Sequence, residues 1–159
     1  MSYNEIRRNT KEVKIKDLII GGSSDILIQS MTNTDTLDFN ATIAQINIVR
    51  ITLPTVESAR AIKEIKNAGI SIPVVADIHF DYKIALECVK MGVDKIRINP
   101  GNIGEEWKIK EVADACKYEG IPIRIGVNGG SLEKHILQKY GSPTPEALAE
   151  SAFYHISLL

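Results

Sequence analysis

The 159-residue sequence has no apolar segment long enough to cross a bilayer and no surplus of one charge. A membrane-spanning helix needs about 18 apolar residues in succession, and the polar first 16 residues lack the apolar core of a signal peptide. Nineteen Lys and Arg against 20 Asp and Glu give a net charge of −1, whereas nucleic-acid-binding proteins usually carry excess positive charge. These absences predict a cytoplasmic globular domain with neither membrane nor nucleic acid as a partner.

Cysteine is also scarce, and several common catalytic motifs are missing. Cys88 and Cys116 lie far apart and form no C-x-x-C pair, so neither a disulfide framework nor a metal site is indicated. Both occupy apolar positions of predicted helices, where we expect them to be core residues. The sequence contains no Ser-His-Asp order, H-E-x-x-H, Walker loop or dinucleotide-binding glycine motif. The residues alone therefore leave the reaction class open.

Short apolar runs alternate with helical patterns from residue 26 onward, which is typical of βα units that form a parallel sheet. The nearly all-apolar runs predict strands at 26–31, 48–52, 73–77, 95–99 and 123–127. Helices are predicted at 38–46, 56–68, 82–91, 105–119 and 131–140, and from about 145 to the end. Residues 10–22 precede the repeat and are predicted to form a hairpin.

The spacing of these units predicts an α/β fold, a (β/α)8 TIM barrel. Arg50, Asp77, Arg97 and Arg124 occupy matching strand positions at intervals of 27, 20 and 27 residues. A whole barrel takes about 250 residues, so we expect an incomplete barrel of about five units, with residues 1–25 as a hairpin segment and 26–159 as the first part of the barrel. The predicted crossover at 38–46 is shorter than usual, which suggests that part of the first helix is missing after Ile46.

Three of the predicted strands carry an arginine between two aliphatic residues, namely Arg50, Arg97 and Arg124. Side chains alternate across a strand, so aliphatic neighbours that pack on the helices would direct all three guanidinium groups into the barrel. Barrel enzymes place their active sites at the C-terminal mouth of the strands. The same alternation places further polar or small residues there: Thr52, Asp77, His79, Asn99, Gly126 and Asn128.

The charge balance at this mouth predicts an anionic ligand. Three arginines against Asp77 leave about two positive charges, and buried charges are rarely tolerated without partners. Guanidinium groups suit phosphate because they donate two parallel hydrogen bonds. Any one arginine could instead pair with a carboxylate or reach solvent, and His79 could be a hydrogen-bonded structural residue. The loop at 99–104 is a weaker anion-binding candidate, through its backbone amides.

Six stretches of the sequence together resemble one enzyme family. In chain order they are RRNT at 7–10, QSMTNTDT at 29–36, VADIHFDY at 75–82, DKIRINPGNIG at 94–104, IPIRIGVN at 121–128 and YGSPTPEAL at 140–148. They resemble 4-hydroxy-3-methylbut-2-enyl diphosphate synthase of the non-mevalonate isoprenoid pathway. The similarity extends over almost the whole chain.

This resemblance implies a function and a set of ligand-binding residues. The family reductively opens 2-C-methyl-D-erythritol 2,4-cyclodiphosphate, with two electrons from ferredoxin or flavodoxin that pass through a [4Fe-4S] cluster. By analogy, Arg50, Arg97 and Arg124 would hold the diphosphate. His79, Asn99 and Asn128 would complete the substrate-binding pocket. Four weaker candidates are Thr32, Asn33, Asp77 and Asn102.

The resemblance also implies that part of the family's machinery lies outside residues 1–159. In the family, three Cys and one Glu hold the cluster in a C-terminal domain, and an acidic residue important for the chemistry lies later in the barrel. Cys88 and Cys116 do not match that ligand motif, so we expect no metal ligand and no complete catalytic set in this chain, which alone would be inactive. The full-length family forms homodimers.

Two alternatives remain open at this point. One is another phosphate-binding barrel enzyme, similar to the pterin-binding synthases, which needs no metal. The other is a non-catalytic fragment that associates with itself through the open edges of its sheet, because unpaired strand edges favour such contacts.

Overall fold

The computed structural model describes residues 9–29, 31–38, 40 and 50–159. Near its beginning, β1 (Val13–Ile15) and β2 (Leu18–Ile20) pair as an antiparallel hairpin, which confirms the predicted hairpin. A four-stranded parallel sheet follows, with the strands in chain order. Its strands are β3 (Arg50–Thr52), β4 (Val75–Ile78), β5 (Lys95–Ile98) and β6 (Ile123–Ile125).

Helices alternate with these strands, as the βα pattern predicted. They are α1 (Val56–Asn67), α2 (Tyr82–Lys90), α3 (Pro100–Ile103), α4 (Glu106–Glu119), α5 (Lys134–Tyr140) and α6 (Pro145–Ile156). Side-chain caps fix several of the helix starts. Thr55 and Ser58 form a capping box at α1, and Asp81 accepts a hydrogen bond from the Lys83 backbone N–H at α2. None of the described helices is long and apolar enough to cross a membrane.

The described aliphatic neighbours of Arg50 and Arg97 lie on the helix-facing side of the sheet. Ile51, Ile96 and Ile98 have no exposed surface, and they form one core with apolar side chains of α1, α2 and α4. Burial of each such side chain is worth about 1.5–3 kcal/mol. This face therefore stabilises the sheet, and strand alternation leaves the opposite face for polar residues.

The first predicted strand is wrong as a regular strand. Residues 26–29 have no regular secondary structure, and Met31 forms only one parallel bridge, to Arg50. Ile26 and Ile28 are each 80% exposed, so the side chains that predicted a buried strand are not covered by the described part of the chain. The segment nevertheless lies beside β3 in the expected direction, because the Thr32 backbone N–H donates to the Arg50 carbonyl.

Several predicted boundaries also change. The helix predicted at 131–140 begins only at Lys134, because a 3-10 turn at Gly129–Ser131 and extended backbone at Leu132 and Glu133 precede it. The predicted loop at 99–104 contains the short helix α3. Of the helix predicted at 38–46, Asp38 is not helical and Asn40 is. Residues 41–49, which include the site of the predicted missing segment, lie outside the described residues.

Both cysteines are core residues, as predicted, and this has a chemical consequence. Cys88 and Cys116 are at most 1% exposed. Burial, with smaller contributions from Glu87 and Cys116, raises the pKa of the Cys88 thiol, and burial raises the pKa of Cys116 to about 12. Because the thiolate is the reactive form, neither thiol is a nucleophile at neutral pH.

We therefore predict that iodoacetamide leaves both cysteines of the folded protein unmodified at pH 7.5 under conditions that alkylate free glutathione. The same treatment in concentrated guanidinium chloride should modify both residues, since unfolding restores ordinary thiol pKa values. Peptide mass spectrometry measures the modified fraction at each position. Rapid alkylation of Cys88 before unfolding would contradict its place in the core.

Candidate functional site

The strand register places a row of polar side chains across the inner face of the sheet. Thr52 pairs with Asp77, Asp77 with Arg97, and Arg97 with Arg124 on successive parallel strands. Residues two positions apart on one strand face the same side, so Arg50 also belongs to this face. Arg50 pairs with Val75 rather than with Asp77. It therefore lies two residues farther from the C-terminal ends of the strands than the sequence intervals predicted.

Asp77 holds two of the three arginines from a fully buried position. Its Oδ1 accepts a hydrogen bond of 2.8 Å from Arg97 Nη1, and its Oδ2 lies 2.9 Å from Arg50 Nε in an ion pair that is not aligned as a hydrogen bond. His79 Nε2 lies 3.9 Å from Oδ2. The alternative that an arginine pairs with a carboxylate thus applies to Arg50 and Arg97, but both share one acid.

Positive charge remains on the inner face after this pairing. Arg124 is exposed, and no carboxylate among the described residues lies within 4.0 Å of its guanidinium. Lys95, two residues before Arg97 on β5, is only 8% exposed. Burial and the nearby charge of Arg124 both lower the pKa of Lys95. Burial is the larger of these two causes, and the charge of Arg124 adds to it. Because no carboxylate among the described residues pairs with Arg124, this face suits an anion.

Gly126 gives the Arg97 side chain its place beside β6. A Cβ atom at this position would lie 2.6 Å from Arg97 Nη2 and 2.7 Å from Arg97 Nε, closer than non-bonded atoms tolerate. The Gly126 backbone N–H donates to the Ile98 carbonyl and continues the sheet contact past the end of β6. The absence of a side chain at Gly126 therefore leaves room for the guanidinium over the strand end.

The loops after β5 and β6 meet through one hydroxyl group. Ser131 Oγ lies 2.9 Å from Asn99 Nδ2 and 3.2 Å from Asn128 Oδ1. Asn128 Oδ1 also accepts from the Gly130 backbone N–H at 3.0 Å. Asn99 is 2% exposed, whereas Asn128 is exposed. Two predicted ligand-binding residues from different loops are thus connected through a serine that we did not predict.

Comparison with protein families identifies the fold. A family model described as the GcpE TIM-barrel domain matches residues 10–159. This chain belongs to the GcpE TIM-barrel family. The predicted class, an incomplete TIM barrel of the α/β type, is therefore confirmed, and the matched range includes the N-terminal hairpin.

Curated relatives of this GcpE-family chain carry one name, 4-hydroxy-3-methylbut-2-en-1-yl diphosphate synthase (flavodoxin). The protein of Macrococcus caseolyticus is 58% identical over 161 residues, which cover 96% of this chain and 43% of the relative. The protein of Fusobacterium nucleatum is 55% identical, and the alignment covers 97% of this chain and 46% of the relative. The protein of Chromohalobacter salexigens is 54% identical, and the alignment covers 96% of this chain and 43% of the relative. This chain thus spans less than half the length of these relatives.

The length of one alignment relates to the prediction that part of the first helix is missing. An alignment of 161 residues with the Macrococcus relative exceeds the 159 residues of this chain. That relative therefore contains positions that this chain lacks. Their placement after Ile46 remains a prediction.

The weaker predicted site residues of this GcpE-family chain differ in their contacts with the arginines. Thr32 lies next to Arg50 through its backbone hydrogen bond, and Arg50 Nη2 lies 2.8 Å from Met31 Sδ. Asn33 is exposed in the same segment. Asn102 lies in α3 with its backbone N–H on the Asn99 carbonyl, and its side chain forms no hydrogen bond to the arginines among the described residues.

Sequence reasoning missed Lys95 and Ser131 as site residues. Strand alternation would have found Lys95, because it has the same parity as Arg97. No local signal marks Ser131, since its partner Asn99 lies 32 residues away.

An iron–sulfur cluster does not fit the residues of this chain that the structure describes. No three His, Cys, Asp or Glu side chains among them come together as a metal site. The two cysteines are buried in the core, and their raised pKa values disfavour the thiolate form that binds metal.

We predict that Asp77→Asn lowers the free energy of unfolding by about 3 kcal/mol, because it leaves two partly buried guanidinium groups without their counter-charge. Urea unfolding followed by circular dichroism measures the change. Asp114→Asn is the matched control, since Asp114 is exposed and, among the residues that the structure describes, pairs with Lys110 alone on the α4 surface. We expect a loss of less than about 0.5 kcal/mol there. Equal effects of the two substitutions would contradict a structural role for the Asp77 contacts.

Proposed function

We propose that this chain forms the diphosphate-binding part of an enzyme that reductively opens 2-C-methyl-D-erythritol 2,4-cyclodiphosphate to 4-hydroxy-3-methylbut-2-enyl diphosphate. The observation that carries the proposal is the excess of positive charge on the inner face of a GcpE-family sheet. Arg50 and Arg97 share the one buried acid described there, Asp77, and Lys95 and Arg124 add two further basic side chains to the same face. The names of the relatives support the choice of product, and the family resemblance supplies the substrate. This excess of positive charge suits a diphosphate, because guanidinium groups form strong hydrogen bonds to phosphate oxygens.

The arginines retain donors for such a ligand. A guanidinium group has five N–H donors, and Arg97 uses only Nη1 on Asp77. Arg124 has no ion pair among the described side chains and has all of its donors free of carboxylates. In this proposal Asp77 fixes the orientation of Arg50 and Arg97 before the ligand arrives, so less side-chain entropy is lost on binding.

His79, Asn99 and Asn128 complete the proposed pocket at the strand ends. His79 lies beside Asp77, and Asn99 and Asn128 meet at Ser131. Their neutral donors and acceptors would orient the sugar-derived carbon skeleton while the arginines hold the phosphates. In this proposal Thr32 and Asn33, in the segment beside β3, and Asn102 in α3 contribute at the periphery of the pocket. The backbone hydrogen bonds of Thr32 to Arg50 and of Asn102 to Asn99 support their inclusion.

The electron-transfer part of the reaction is proposed to lie outside this chain. The family resemblance implies a [4Fe-4S] cluster that delivers two electrons from ferredoxin or flavodoxin, and the described residues offer no ligand set for it. We accordingly expect the cluster ligands, the catalytic acidic residue, homodimerisation and cytoplasmic location to be properties of a longer protein. We expect the 159 residues alone to bind the diphosphate of the substrate but not to convert the substrate to product.

The family match disfavours a pterin-binding synthase, and no observation in the described residues favours it. Self-association through open sheet edges stays compatible with the fold, because β3 and β6 are the outer strands of the described sheet. It does not compete with diphosphate binding, which takes place on the inner face.

Isothermal titration of the complete gene product with the cyclic diphosphate tests this proposal. We predict that Arg124→Ala raises the Kd about 10- to 100-fold, because it removes hydrogen bonds from a charged donor that are worth about 1.5–3 kcal/mol. Arg124 is exposed and has no buried partner, so its loss should leave the fold intact.

Arg60→Ala is the matched control, since Arg60 lies on α1 with a 67% exposed side chain outside the proposed pocket. It should leave the Kd within twofold of the wild type. An unchanged Kd in Arg124→Ala, or an equal effect of Arg60→Ala, would contradict binding of the diphosphate on the inner face.

A further inference from the structure

Ser131 occupies a place where one hydroxyl group meets two side-chain amides. Its Oγ lies 2.9 Å from Asn99 Nδ2, 3.1 Å from Asn99 Oδ1 and 3.2 Å from Asn128 Oδ1. A hydroxyl group has a single proton to donate. Donation to Asn128 Oδ1, with acceptance from Asn99 Nδ2, connects the two asparagines in one directed chain.

This chain of hydrogen bonds continues into the backbone. Asn128 Oδ1 also accepts from the Gly130 N–H, so it receives two hydrogen bonds and its carbonyl side is fixed toward the 3-10 turn. Because an amide has oxygen on one side and nitrogen on the other, the Asn128 NH2 group is left to point away from Ser131. The orientation of the Asn99 amide thus depends on the Ser131 hydroxyl, and that of the Asn128 amide depends on this hydroxyl together with the Gly130 N–H.

Close packing of the two loops holds the serine in place. A Cβ atom on Gly101 would lie 1.9 Å from the Ser131 carbonyl oxygen and 3.4 Å from Glu133 Oε1. Only a glycine allows the backbone after β5 to approach the 3-10 turn so closely. The distance between Asn99 and Ser131 is therefore set by the backbone rather than by the hydrogen bonds alone.

Helix α6 anchors the other side of the same loop. Glu133 Oε1 contacts His155 Nε2, and His155 and Ser151 are at most 2% exposed. Burial alone would raise the pKa of Glu133, but hydrogen bonds from His155, the backbone and Ser151 lower it overall. A carboxylate stabilised in this way ties residues 131–133 to the helix, so the loop is held from two directions.

We propose that Ser131 is a positioning residue that sets the orientation of the Asn99 and Asn128 amides at the mouth of the sheet, a role that rests on the diphosphate-binding function proposed above. Ser131 itself does not contact the ligand in this proposal. It acts by removing the freedom of two amides to rotate, which lowers the entropy lost when the ligand binds.

The test compares four forms of the complete gene product: wild type, Ser131→Ala, Ser131→Thr and Ser142→Ala. Ser131→Thr keeps the hydroxyl group, and Ser142 is an exposed serine in the loop before α6 that serves as the control for hydroxyl removal. Three quantities are measured for each form: the Kd for the cyclic diphosphate by titration, the Tm by circular dichroism, and the hydrogen exchange rate of the Asn99 side-chain amide by NMR.

We expect Ser131→Ala to raise the Kd about five- to tenfold, because the two amides must then be ordered when the ligand binds, and to speed exchange of the Asn99 amide. Its Tm should stay within a few degrees of the wild type. Ser131→Thr should restore both the Kd and the exchange rate, and Ser142→Ala should change neither. A purely structural role would lower the Tm and leave the Kd of the folded protein unchanged.

Unchanged Kd and exchange rate in Ser131→Ala would overturn the proposal, as would an equal rise of the Kd in Ser142→Ala. If the wild type does not bind the cyclic diphosphate, the proposed function fails and the exchange rate decides the positioning role. Faster exchange in Ser131→Ala then supports it, and wild-type exchange overturns it.

Discussion

The buried carboxylate of Asp77 is the interaction on which the inner face depends. Two guanidinium groups approach one fully buried acid from neighbouring strands, and their mutual repulsion is tolerable only because that acid lies between them. A buried ion pair contributes little net stability when compared with apolar packing. Its contribution here is geometric, since it fixes where the remaining donors of Arg50 and Arg97 point.

The two faces of the sheet have different roles, and apolar burial on one face offsets the cost of the charged side chains on the other. Ile51, Ile96 and Ile98 bury completely against the helices, so the sheet is stabilised from the outside. The inner face can then carry more positive than negative charge, because its cost is offset by apolar burial on the other face. Strand alternation connects the two roles, since Ile51, Ile96 and Ile98 anchor the strands that carry Arg50 and Arg97.

The sequence was most informative where a periodic pattern coincides with a long-range constraint. The arginines between aliphatic neighbours predicted the inner row, because alternation has no exception within a regular strand. The same reasoning failed at residues 26–31, where Ile26 and Ile28 are apolar but exposed. A regular strand needs hydrogen bonds to a neighbour along its length, and the local sequence does not report how far such pairing extends.

Contacts between residues that are distant in the sequence could not be predicted from strand alternation. The shared use of Asp77 by two arginines, the room that Gly126 leaves for Arg97 and the meeting of Asn99 with Ser131 all depend on register between strands. The start of α5 moved for a related reason, because Ser131 is engaged by the neighbouring loop rather than by its own helix. Family resemblance supplied the ligand chemistry, which the spacing of residues could narrow only to a phosphate.

The most direct measurement of the central claim is a crystal structure of the complete gene product with the cyclic diphosphate bound. The account predicts phosphate oxygens about 2.7–2.9 Å from guanidinium nitrogens of Arg97 and Arg124, with Asp77 still between Arg50 and Arg97. A diphosphate bound away from the inner face, with Arg124 directed into solvent, would contradict it.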